Sequence, residues 1–145
     1  MTELGAEPAV RLFGICALVL VLKMVLLASY TSLIRMRKGI YATAEDYRLV
    51  GAEPVSGPDE EIERARRAHR NDLENVLPFF AVGFFFALSD PSLLAARIGF
   101  IGFTLARVLH SVFYVRGMQP HRTLAYTVGL LLMLWMLIAA LLRLL

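Results

Sequence analysis

The residues best suited to chemistry lie in one stretch, ERARRAHRNDLENVLP, from Glu63 to Pro78. At helical spacing Arg67, Arg70, Asn71, Glu74 and Pro78 fall three or four residues apart and share one stripe. Arg107, His110, Ser111 and Tyr114 form a second stripe, and Arg122, Thr123 and Tyr126 a third. Arginine forks match carboxylates and phosphates, and a lone carboxylate among them suits an ammonium group. With Arg35 added, and Glu74 and Asp46 as the acids, the set implies a ligand that is anionic overall. Such a ligand carries two or more carboxylates or phosphates, with room for one amine.

Each of these residues also has a plainer reading. Cations at a helix end orient a membrane protein and touch headgroups. Arg107 can pair with Glu74 as a structural ion pair between helices. His110 alone reads as a hydrogen-bonded packing residue, and Tyr114 and Tyr126 alone as interface aromatics. Their coincidence at similar depth on three helices favours a cavity open to the cytoplasmic side. The sequence contains no metal-ligand spacing, glycine-rich phosphate loop or Ser-His-Asp pattern, so no metal is expected. The lone Cys16 excludes an intrachain disulfide. No basic, aromatic-interleaved patch points to nucleic acid.

The elements that must carry these groups are membrane helices. The chain has 145 residues, 58% of them hydrophobic, with a mean hydropathy of +0.63. That composition predicts an all-α integral membrane protein, residues 1–145 forming one domain. Glu3 and Glu7 stand where a secretory leader carries positive charge, so the first apolar run reads as a retained span. Four spans are expected, over about 8–34, 59–88, 91–114 and 121–142. Lys23 interrupts the first and reads as a snorkelling or helix-packed lysine. In the loop that follows, Thr43 is placed to cap a short helix with Glu45 and Asp46 in its first turn. Pro91 is expected to start the third span and the segment 117–120 to be a loop. Gly83 and Ala87 form a small-residue pair suited to close helix approach.

Arg35, Arg37, Lys38, Arg48, Arg64, Arg66, Arg67, Arg70, Arg116 and Arg122 all belong to loops one and three or their helix ends. The opposite side carries only Arg11, Arg97 and Arg143. This asymmetry predicts cytoplasmic loops one and three, with both termini on the other side. The alanine- and arginine-rich composition fits a bacterial source, hence the inner membrane rather than the endoplasmic reticulum.

Four segments, ERARRAHRNDLENVLPF, VLKMVLLASYTSLIRMRKGIYATAEDY, ARVLHSVFY and QPHRTLAYT, resemble in order and spacing the MAPEG family, the membrane-associated proteins of eicosanoid and glutathione metabolism. The resemblance implies a four-helix bundle in a homotrimer, with glutathione bound between neighbouring subunits near the cytoplasmic side. It also implies membrane lipid and a lipophilic small-molecule substrate as partners. By motif position it assigns Arg35, Arg67, Arg70, Asn71, Glu74, Arg107, His110, Tyr114 and Tyr126 to glutathione binding. Arg122 is implied as the catalytic group that stabilises the thiolate, with Thr123 donating to the sulfur and Asp46 accepting a proton. The family carries transferase, peroxidase and isomerase activities toward lipophilic electrophiles and peroxides, and also a lipid-presenting scaffold without catalysis. Arg70 and Tyr126 resemble its synthase subtype, whereas LENVLPF and QPHR resemble its transferase subtype, so the electrophile stays open.

Overall fold

A computed structural model describes residues 7–145 and is entirely helical among them apart from the connections. Glu3 lies outside the described residues. Helix α1 (Pro8–Lys38) has proline in its first turn, where the missing N–H costs nothing. Its 31 residues span about 46 Å at 1.5 Å per residue. It runs four residues past the expected end at 34. Arg35, Arg37 and Lys38 suit the negative end of the dipole, and Gly39 closes the helix at φ 64°, where a side chain is disfavoured.

Helix α2 (Ala44–Val50) forms as expected. Thr43 Oγ1 accepts from the Asp46 N–H, and the Asp46 carboxylate accepts from the Thr43 N–H, a reciprocal cap. Its Tyr47 is buried edge-on against Tyr41 and accepts from the Val55 N–H at 3.4 Å, tying down the following segment. Asp59 caps α3 (Glu60–Leu88) by accepting from the Glu61 and Ile62 N–H groups, both at 3.1 Å. Lys38 bridges back to Asp59 (2.9 Å) and Glu61 (2.8 Å), so the ends of α1 and α3 are clasped. Hydrogen bonds from Lys38 hold the Asp59 and Glu61 carboxyls below the usual carboxylate range, and those bonds raise Lys38 above its own.

Ser92, not Pro91, caps the third rod: its Oγ accepts from the Ala95 N–H at 3.3 Å. The rod comprises α4 (Leu93–Ala96), a π-helical turn (Arg97–Ile101) and α5 (Gly102–Val115). The π turn is not foreshadowed by composition. Gly99 within it lies against Met136, where an added Cβ would stand 2.7 Å from the sulfur. Helix α6 (Gln119–Leu144) begins inside the expected loop, because Pro120 fits its first turn. Gly117, at φ 71°, makes the turn before it.

Helices α1, α6 and the rod Leu93–Val115 are long and apolar enough to cross a membrane. Helix α3 is not in that class, since its first half is charged, although its second half is continuously apolar. The core sits between α1, α3, α5 and α6, where Phe79 stacks on Phe103 with ring centroids 4.2 Å apart. Gly83 meets Phe13 of α1 so closely that a Cβ would fall 2.6 Å from its ring, which supports the close approach expected there. Ile62, Ala65, Ala68, Asp72, Val76, Phe79, Gly83 and Phe86 form the inward stripe of α3.

Candidate functional site

The inward stripe of α3 carries a charge at its middle. Asp72 is fully buried and receives Lys23 Nζ from α1 at 2.6 Å and Arg107 Nη2 from α5 at 3.1 Å. Ser111 Oγ donates to the same carboxylate at 3.3 Å and accepts from Lys23 Nζ at 3.1 Å. Three helices are therefore joined by one carboxylate. Charged groups at this depth persist when paired in this way. The pairing rules out the Arg107–Glu74 ion pair, the plainer of the two readings of Arg107: Glu74 is exposed, on the opposite side of α3 from Asp72. Lys23 is packed between helices and does not snorkel, which decides between the two readings of the sequence.

Arg107 reaches one more partner. Its Nη2 donates to Asn71 Oδ1 at 2.6 Å, turning the half-buried Asn71 inward from the Arg67–Arg70–Glu74 stripe. Asn75 is bonded to its own helix, its Nδ2 donating to the Asn71 carbonyl at 2.7 Å. Arg67, Arg70 and Glu74 themselves are exposed.

One turn along α5, His110 is buried between two tyrosines. It lies 5.5 Å, edge to face, from Tyr114 and 6.2 Å from Tyr126 of α6. Arg122, half-buried in the first turns of α6, sets its guanidinium 4.4 Å from the centre of the Tyr114 ring, a cation–π contact that holds the charge in place. The structure thus gathers His110, Tyr114, Arg122 and Tyr126. Thr123 is exposed beside Arg122, and Asp46 is engaged in the α2 cap.

The other arginines meet elsewhere. A cavity of about 400 Å³ between α1 and α3 is lined by Arg35, Arg66, His69 and Arg70 with Thr31 and Ser32. His69 and Arg66 were not singled out in the sequence, where both look like ordinary members of a charged run. Among the described residues, no hydrogen bond or ion pair joins this cavity to the His110–Arg122 group. The residues expected in a single cavity therefore fall into two groups on one chain. Asp72 was also missed, although its place four residues from both Ala68 and Val76 puts it on the apolar stripe. Lys23 within an apolar span is the signal that a buried counterion was needed.

Several buried nitrogens have no partner among the described residues: Arg35 Nε, His69 Nδ1, Arg107 Nε and Nη1, and His110 Nδ1. The Arg35 and Arg107 nitrogens are donors in any state, and buried donors left empty are costly, so they suit a ligand that brings acceptors.

The MAPEG family pattern matches residues 13–142. The chain belongs to the MAPEG family. It is 38% identical over 118 residues to prostaglandin E synthase of Bos taurus, covering 81% of this chain and 77% of the relative. It is 38% identical over 134 residues to microsomal glutathione S-transferase 1 of Rattus norvegicus, covering 89% and 86%. The human prostaglandin E synthase is 35% identical over 125 residues, covering 86% and 82%. Similarity to both subtypes at nearly equal identity matches the mixed motifs of the sequence. The relatives are enzymes by name, and this MAPEG chain is an enzyme of the same kind.

Proposed function

We propose that this MAPEG protein is a glutathione-dependent transferase, peroxidase or isomerase acting on lipophilic electrophiles or lipid peroxides. The observation that carries the reading is Arg122, fixed over Tyr114 beside His110 and Tyr126. The unpartnered guanidinium Nε–H of Arg35, in the same cavity as Arg70, fits a carboxylate of glutathione. When bound, glutathione supplies a thiol nucleophile.

Arg35 and Arg70 take carboxylates, and exposed Glu74 takes the γ-glutamyl ammonium. Asn71, Tyr114 and Tyr126 hydrogen-bond the peptide, and His110 packs against it. Arg67 adds positive charge at the entrance. Arg122 lowers the free energy of the thiolate, because a nearby cation favours that form. Thr123 donates to the sulfur, and Asp46 accepts the released proton. The two groups on one chain, read as half-sites, support a homotrimer in which the α1–α3 cavity of one subunit faces the α5–α6 cluster of the next. The α3 helix then makes the fourth crossing, with loops one and three in the cytoplasm and, for a bacterial source, the inner membrane as the site.

An apolar groove of about 410 Å³ on α5 and α6 is lined by Leu105, Leu109, Phe113, His121, Leu124 and Val128. It suits entry of a lipophilic substrate from the bilayer. Adding glutathione to the purified protein and following the ultraviolet thiolate band tests the reading. A band at neutral pH together with turnover of a chlorinated nitrobenzene is expected. Neither appearing would mark the chain as a lipid-binding scaffold instead.

A further inference from the structure

Arginine has donors only. Arg107 therefore takes the Asn71 amide by its oxygen, at 2.6 Å, and this assigns the two otherwise interchangeable ends of that amide. Asn71 Nδ2 is left as the free end and makes no hydrogen bond among the described residues. Arg107 can hold it only while Arg107 is itself held. Asp72 does this at 3.1 Å, and is in turn anchored by Lys23 (2.6 Å) and Ser111 (3.3 Å).

We infer that Asp72 is a positioning residue of the ligand site. Fully buried, it touches no ligand, but through Arg107 it orients Asn71 so that the site presents a donor at that point. The ligand group met there is an acceptor, a peptide carbonyl or carboxylate oxygen, and an amine or amide N–H is rejected. This inference rests on the reading that Asn71 lines the glutathione site. It adds a role for the buried charge network that the chemistry at Arg122 does not use. Lys23 and Ser111 also bind Asp72 from two other helices, so Asn71 is aligned by the bundle as a whole and not by its own helix.

The test is a double-mutant cycle on glutathione affinity, measured calorimetrically with the full chain in lipid nanodiscs. Asp72→Asn is expected to weaken Kd about tenfold, the loss of a charge-assisted hold on the amide. Asn71→Ala is expected to do the same. The double variant should be no more than about twofold weaker than Asn71→Ala, because coupled residues are not additive. A merely structural role for Asp72 would give additive losses, and that result would overturn the inference. Asn71→Asp offers only acceptors and should bind more weakly than Asn71→Ala; equal or tighter binding would also overturn it. If Asp72→Asn does not fold, Arg107→Met takes its place in the cycle, since methionine has no N–H to join Asp72 to Asn71. Non-additivity with Asn71→Ala is again required. Failure of the wild-type chain to bind glutathione would instead overturn the functional reading, and this inference with it.

Discussion

Replacing Arg122 by alanine removes the cation assigned to thiolate stabilisation. Its guanidinium is half-buried and fixed 4.4 Å from the Tyr114 ring centre, so it cannot simply swing into solvent. A unit charge about 4 Å from sulfur, at an effective dielectric constant of about 20 to 40, is worth about 2–4 kcal/mol. That corresponds to a thiol pKa lowered by about 1.5–3 units. A free thiol with a pKa near 8.5 is only about 3% thiolate at pH 7, whereas the stabilised one is about half to almost fully ionised. Arg122→Ala should therefore reduce the thiolate band at pH 7 by about 15- to 30-fold at saturating glutathione, with at least an equal fall in kcat. The pH–rate profile should move upward toward the free thiol. Glutathione affinity should fall much less, because Arg35, Arg70 and Glu74 are untouched. Arg122→Lys keeps a charge but loses planar stacking, and should lie between the two. An undiminished thiolate band and wild-type turnover in Arg122→Ala would refute the assignment.

Other consequences follow from the same geometry. Glu74→Ala should raise the glutathione Kd about tenfold by removing the ammonium partner, with kcat at saturation nearly unchanged; calorimetry and steady-state kinetics separate the two. Phe79→Ala should cost about 3–5 kcal/mol, since the ring is fully buried and stacked on Phe103; thermal unfolding in detergent measures it. The Lys38–Asp59–Glu61 clasp has its own pH window. Its carboxyls are depressed in the folded state, so their contribution is present above their ordinary values near about 4 and is lost as pH falls through the depressed values. Lys38 is raised, so its contribution is present below its ordinary value near about 10.4 and is lost as pH rises through the raised one. Hydrogen exchange across residues 39–60 should accelerate in acid in the wild type. In Lys38→Met it should already be fast at neutral pH.

Much of the fold is legible in the chain because bilayer helices announce themselves by composition. Pro8, Thr43, Asp59 and Gly39 mark helix ends through local chemistry that needs no tertiary context. The π turn at Arg97–Ile101 and the start of α6 at Gln119 are different. The first depends on how Gly99 meets Met136, and the second on a proline that suits either a loop or a first helical turn. The site shows the same division. Helical spacing groups His110 with Tyr114, and Arg122 with Tyr126, and the structure packs them together. Spacing along α3 offers two stripes, one rich in arginine with Glu74 as its acid and one apolar with Asp72 at its middle. The inward acid is Asp72, because its neighbours four residues away on either side, Ala68 and Val76, are apolar and buried. Only the meeting of α1, α3 and α5 shows that Lys23, Arg107 and Ser111 need it.

The most direct measurement is turnover of the purified protein against a panel of lipophilic electrophiles and lipid hydroperoxides, with and without glutathione. Glutathione-dependent consumption of at least one class, abolished in Arg122→Ala, is the predicted result. Turnover that does not depend on glutathione, or none across the panel while the protein remains folded, would contradict the account.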